Sequence, residues 1–112
     1  MYGIPNCGTI KKARAWLEDA GVDYAFHDYK KLGVDETQLR GWVERFGWEQ
    51  VLNRRGMTWR KLDEATRDGM DEAGAIAVML DKHSIIKRPI LVKDDAVILG
   101  FDEAEYAKAF QK

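Results

Sequence analysis

Tyr2-Gly3-Ile4-Pro5-Asn6-Cys7-Gly8-Thr9-Ile10-Lys11-Lys12-Ala13-Arg14-Ala15-Trp16-Leu17 is the stretch from which the rest of the chain is read. It predicts a short apolar strand, a sharp turn through Pro5 to Gly8, and then a helix with Ile10, Ala13, Trp16, Leu17 and Ala20 on one stripe, stopped by Gly21. Cys7 is the only cysteine, and it falls where that helix begins. A thiol at a helix start faces unpaired backbone N–H groups and the positive end of the helix dipole, both of which favour the reactive thiolate. Lys11 and Lys12 add positive charge one turn on. A lone cysteine is more often packing material than a reagent. Here, however, it is flanked by Pro5, Asn6, Gly8 and Thr9, residues of turns and caps rather than of cores. Cys7 is therefore read as a nucleophile.

Working outward, Tyr24-Ala-Phe-His-Asp-Tyr29 alternates like a second strand, so the first thirty residues predict a βαβ unit with parallel strands. His27 lies on the face away from Tyr24 and Phe26 and is read as structural or superficial, not catalytic. Lys30–Val34 reads as a loop. Asp35 then caps a helix with Gln38 in the box position, and Leu39, Trp42, Val43 and Phe46 form its apolar stripe. A helix-rich insert follows, with a turn over Trp48–Leu52, a loop at Asn53–Gly56, and helices predicted over Trp59–Ala65 and Asp71–Asp81. Lys87-Arg88-Pro89 leads into the apolar strand Ile90–Val92, and Asp94-Asp95 turns it into Ala96–Leu99 as a hairpin. Asp102 with Glu105 caps a last helix reaching about Phe110. The opening strand would hold only about four residues, which predicts that a few residues precede Met1.

Composition bounds the possibilities. A chain of 112 residues, 46% hydrophobic and 33% charged, predicts one soluble domain with a single core. Its net charge of −1 offers nothing to nucleic acid or a membrane surface, and no apolar run or secretory leader stands out. A single cysteine excludes an internal disulfide and fits a reducing, cytoplasmic setting. His27 and His83, far apart in sequence, make no metal-ligand cluster.

A thiolate reagent needs cations to hold whatever anionic group it works on. Arg88, at a strand entrance before a proline, is one candidate; Arg54 and Arg55, in a glycine-containing loop, are others. Arginine suits bidentate holding of carboxylates and oxyanions, although a surface ion pair would explain Arg88 equally well. Asn6 and Thr9 are placed to donate hydrogen bonds to the sulfur or an oxyanion, or simply to cap the helix.

Four segments together resemble the arsenate reductase (ArsC) family: Tyr2–Ala13, Arg55-Gly-Met-Thr-Trp-Arg-Lys-Leu62, Ile86-Lys-Arg-Pro-Ile-Leu91 and Leu99-Gly-Phe-Asp-Glu103. They occur in the family's order over essentially the whole chain, and the YffB-type branch, related also to the Spx regulators, is the nearest in character. The resemblance implies an α/β, thioredoxin-like fold in one domain, 1–112. Its mixed four-stranded sheet would be built as β-α-β, a helical insert over about 35–82, and β-β-α. It also implies a cis proline at Pro89 facing the thiol, Cys7 as the nucleophile, and Arg88 as the oxyanion-binding arginine. Arg54 or Arg55 would be the insert arginine; Asn6 and Lys11 join the anion-binding candidates from their place beside Cys7, not from the resemblance. Where arsenate reductases carry a third arginine, this chain has Gly100-Phe101, which offers no charge and argues against arsenate as the natural substrate. Spx proteins and thioredoxins have a second cysteine three residues after the first; here it is Ile10, so a mixed disulfide at Cys7 must be released by an outside thiol.

The expectation is thus a monomeric, cytoplasmic, glutathione-dependent monothiol oxidoreductase. It would have no bound cofactor, and its substrate would be a small disulfide or an arsenate-type oxyanion. Glutathione or a redox protein would supply electrons. The alternative is a non-catalytic, Spx-like module that docks on RNA polymerase or another protein.

Overall fold

In the computed structural model, which describes residues 1–5 and 7–111, strands β1 (Tyr2–Gly3), β2 (His27–Asp28), β3 (Ile90–Lys93) and β4 (Ala96–Leu99) form one mixed sheet. The strand order is β2-β1-β3-β4, with β1 parallel to β2 and antiparallel to β3. Parallel neighbours need a crossover, and helix α1 (Gly8–Asp19) supplies it. Its stripe is the one the sequence predicts: Ile10, Ala13 and Leu17 are buried in a cluster with Met1, Leu91, Ile98 and Tyr106. β3 and β4 form a hairpin in full register from Ile90↔Leu99 to Lys93↔Ala96, turned at Asp94, whose φ of 53° is in the left-handed region that aspartate tolerates.

The chain divides into two compact units, Met1–Leu32 with Arg88–Lys112 and Gly33–Lys87. The helical segment expected over about 35–82 falls inside the second. That unit holds α3 (Glu36–Phe46), α4 (Trp48–Val51), α5 (Met57–Arg60), α6 (Glu64–Asp68), α7 (Glu72–Asp81) and a 3-10 turn at His83–Ile85. Its buried side chains include Leu39, Trp42, Val43, Leu52, Ile76 and Met79. Asp35 accepts from the Gln38 N–H at 3.1 Å, and Asp71 caps α7 through the Gly74 N–H.

Three local expectations differ from the structure. Residues 24–26 alternate as predicted, with Tyr24 and Phe26 against the first unit's core, but only His27–Asp28 pair as a strand. A strand needs a paired neighbour, and β1 pairs with β2 only at Tyr2↔His27 and Gly3↔Asp28. Lys30–Leu32 is not a loop but part of a helical turn, α2 (Tyr29–Leu32), which starts where the Asp28 carboxylate accepts the Lys30 N–H at 2.9 Å. The helix predicted over Trp59–Ala65 is two, because the Asp63 side chain accepts from the Thr66 N–H and starts a new one. The His27 ring lies tilted at 5.0 Å from that of Tyr2 and meets the Tyr29 ring edge-on at 5.7 Å.

The last helix, α8 (Glu103–Phe110), is capped by Asp102 through the Glu105 N–H at 3.0 Å. It sends Tyr106 into the core, with the edges of Phe101 and Trp16 against its ring. The Tyr106 hydroxyl is buried without a hydrogen-bond partner among the described residues, and burial pushes its pKa up. A desolvated, unpaired hydroxyl costs free energy that phenylalanine does not incur. Tyr106→Phe should therefore raise stability by about 1 kcal/mol, read as a thermal midpoint several degrees higher. A lower midpoint would mean that the hydroxyl has a partner after all, such as a buried water.

Candidate functional site

Cys7 is the N-cap residue of α1, with extended backbone (φ −108°, ψ 131°), and its carbonyl accepts the Lys11 N–H at 3.0 Å. The side chain makes no capping hydrogen bond and is half-buried, with its stem against the first unit's core. The sulfur is thus neither sealed in the core nor spent on the helix. The first turn of α1 contains no acidic residue to repel a thiolate. Lys11 and Lys12 are exposed on the next turn, Thr9 is exposed beside the cysteine, and Asn6 lies outside the described residues. Three residues after Cys7, Ile10 is completely buried.

Arg88 and Pro89 open β3 through a cis peptide bond. Because Tyr2 stands opposite Ile90, the antiparallel register carries Pro89 and Arg88 past Gly3 and Ile4, at the end of the sheet from which the Cys7 turn leaves. A Cβ built on Gly3 would lie 3.9 Å from the Arg88 Cβ, so the arginine leaves its backbone beside the central strand. Gly3 is required by its neighbours: the same Cβ would overlap Ile10 Cδ1. The carbonyl of Pro89 accepts the Gly100 N–H at 2.8 Å, which ties the entrance of β3 to the exit of β4.

The second unit carries a polar cleft of about 330 Å³ lined by residues that include Asn53, Arg54, Arg55 and Lys87, with Glu49 as its one acid. The Asn53 side chain accepts the Arg55 N–H at 3.1 Å and holds the loop, while the Arg54 guanidinium lies 5.9 Å from the centre of the Trp48 ring. An antiparallel bridge, Leu52↔Ile86, brings in Lys87, whose N–H bonds to the Val51 carbonyl at 2.8 Å. Sequence reading missed Lys87, since only this pairing places it beside the arginines. Among the described residues none of Arg54, Arg55, Lys87 and Arg88 is in an ion pair. No group of His, Cys, Asp or Glu among them is placed to hold a metal, and no helix is long and apolar enough to cross a membrane.

A lone, half-exposed thiol at the head of a crossover helix, with an arginine and a cis proline at the same sheet end, is an arrangement suited to thiol chemistry on an anionic partner. The profile of the ArsC family matches residues 2–109. The chain belongs to the ArsC family. Among solved structures, a YFFB protein is 51% identical with a TM-score of 0.92, covering 96% of this chain and 95% of its own. An arsenate reductase (ArsC) related protein from Brucella melitensis is 50% identical with a TM-score of 0.79, covering 99% and 92%. The global transcriptional regulator Spx of Streptococcus pyogenes is 29% identical over 94% of this chain and 79% of its own. This ArsC protein therefore has the thioredoxin-like fold that its motifs imply, in a family that contains both reductase-related proteins and regulators.

Proposed function

We propose that this ArsC-family protein is a glutathione-dependent monothiol reductase. The observation that carries this reading is the pair Cys7 and Ile10: the only sulfur nucleophile is accessible, and the position where a resolving thiol would stand holds a fully buried hydrocarbon. In the proposed cycle the Cys7 thiolate attacks the glutathione sulfur of a mixed disulfide, and the substrate leaves as a thiolate that takes up a proton. A second glutathione thiolate then attacks that same glutathione sulfur, now bonded to Cys7. Oxidised glutathione departs and Cys7 returns as thiolate. Glutathione is the electron donor throughout, and its carboxylates are anions of the kind that the Arg88 guanidinium accepts.

The test is NADPH oxidation coupled through glutathione reductase, with arsenate and a small glutathione mixed disulfide offered separately. Turnover is expected with the disulfide and not with arsenate, because Gly100-Phe101 supplies no third cation. Turnover with arsenate would mean that fewer cations suffice. Silence with both would favour the alternative, a docking module of the kind that the Spx relatives' name implies. A second expectation concerns Arg88. Losing a charge-assisted hydrogen bond removes about 1.5–3 kcal/mol, so Arg88→Ala should raise KM for the disulfide roughly tenfold to a hundredfold with an unchanged thermal midpoint. A falling midpoint with an unchanged KM would make Arg88 structural.

A further inference from the structure

The first unit carries a cleft of about 350 Å³ lined by Pro5, Arg14, Phe26, Asp28, Lys31 and Leu32. In the sheet, β1 has β2 on one side and β3 on the other, so the Cys7 turn that leaves β1 has two flanks. Arg88 and Pro89, at the entrance of β3, stand on one flank. The cleft, at the end of β2 and on α2, stands on the other. Pro5 is two residues from Cys7, a span of at most about 7 Å. Arg14 follows Cys7 by two turns on the same side of α1. The apolar part of the cleft is the half-buried Phe26 ring beside Leu32, which is 67% exposed. A single exposed leucine is ordinary, but this one stands in a concavity next to the nucleophile's turn. The polar part is mostly cationic. The Arg14 guanidinium lies 4.6 Å from the centre of the Phe26 ring and is held by donating its Nε–H to the Tyr24 hydroxyl at 2.9 Å. Lys31 is exposed, and among the described residues neither it nor Arg14 is in an ion pair. The one acid, Asp28, already accepts the Lys30 N–H.

We propose that this cleft seats the leaving half of the mixed disulfide, and that this half is a protein segment with an apolar side chain and a carboxylate within two residues of its glutathionylated cysteine. This rests on the reductase reading above. There Cys7 attacks the glutathione sulfur and the other sulfur leaves as a thiolate that takes up a proton, so the leaving group must lie beside the Cys7 turn. The Arg88 flank is the one suited to glutathione's carboxylates, which leaves the β2 flank for the partner. Glutathione has no apolar side chain with which to cover Leu32 and Phe26, and neither has a small leaving thiol. A leucine or a residue like it would bury that surface, and a neighbouring carboxylate would meet Lys31 and Arg14. An extended segment spans the distance from the reacting sulfur to the cleft in about two residues.

The experiment offers two glutathione mixed disulfides in the coupled assay, made from the peptides Glu-Leu-Cys-Leu-Glu and Gly-Ser-Cys-Ser-Gly with acetylated and amidated ends. The first is expected to be reduced with a kcat/KM at least about tenfold higher. Lys31→Glu should bring that ratio below about threefold, and exchanging the peptide's glutamates for lysines should restore it. Each ratio is taken within one protein, so a variant that is merely less active leaves it unmoved. The seat is also read without turnover. The thiol-free peptide Glu-Leu-Ser-Leu-Glu should shift the amide resonances of Phe26, Lys31 and Leu32, and Gly-Ser-Ser-Ser-Gly should leave them in place. A ratio near one in the parent protein, or no shift at those amides, would overturn the proposal while turnover of either disulfide upholds the reductase reading. Silence with both disulfides would overturn that reading and, with it, the assignment of the cleft to a leaving group.

Discussion

On the proposed function, Cys7→Ser should abolish glutathione-dependent turnover, by at least about 10³-fold, while making the protein more stable. The two halves of that result have separate causes. A serine hydroxyl stays protonated at neutral pH and does not attack a disulfide sulfur, so the first covalent step has no nucleophile. Position 7 is the N-cap of α1, and the cysteine there makes no capping hydrogen bond. Serine is among the best N-cap residues and gives the first turn the acceptor it lacks, which should add about 0.5–1 kcal/mol. Activity and thermal midpoint therefore move in opposite directions, as expected where a position is kept for chemistry at the expense of its local structure. Residual turnover within about tenfold of the parent would remove Cys7 from the mechanism. A lower midpoint with lost activity would leave misfolding as the simpler explanation.

The second large effect concerns Gly3 and Ile10. Ile10 is fully buried under the central strand, and a Cβ at Gly3 would overlap its Cδ1. Gly3→Ala should cost about 1–3 kcal/mol by overpacking, and Ile10→Ala about 2–5 kcal/mol by leaving a cavity. The two changes concern the same space. In the double variant the new methyl at position 3 fills part of the volume vacated at position 10, so the combined cost should fall short of the sum by at least about 1 kcal/mol. Urea unfolding of all four proteins measures this coupling. Simple additivity would show that Gly3 is small for a reason other than Ile10.

The strongly periodic parts of the chain were legible before any coordinates. Ile10, Ala13 and Leu17 gave α1 its buried stripe, and Asp35 with Gln38 and Asp102 with Glu105 marked two helix starts by capping chemistry that acts within four residues. What escaped was decided by competition or by distance in sequence. Asp28 and Asp63 each capture a nearby backbone N–H, which begins α2 where a loop was expected and breaks a helix that the apolar spacing ran through. Residues 24–26 have the alternation of a strand, but strand pairing belongs to two segments and cannot be read from one. The candidate site divides the same way. Cys7 announces itself as a lone thiol among turn residues, and Arg88 by the proline after it. Lys87 joins the arginine loop only through the bridge from Leu52 to Ile86, a contact across more than thirty residues of sequence.

The buried hydrocarbon three residues after Cys7 sets how the protein can report its own oxidation. A two-cysteine relative of this fold can store an oxidising event as an internal crosslink and hold it after the oxidant has gone. With Ile10 in that place, the oxidised protein of the proposed cycle is only an adduct, which lasts until the next free thiol arrives. Its lifetime is set by the surrounding thiol concentration and not by the chain. In the proposed cycle such a protein would respond in proportion and keep no memory: it would follow the thiol pool from moment to moment, and anything sensing its state would have to recognise the attached group itself.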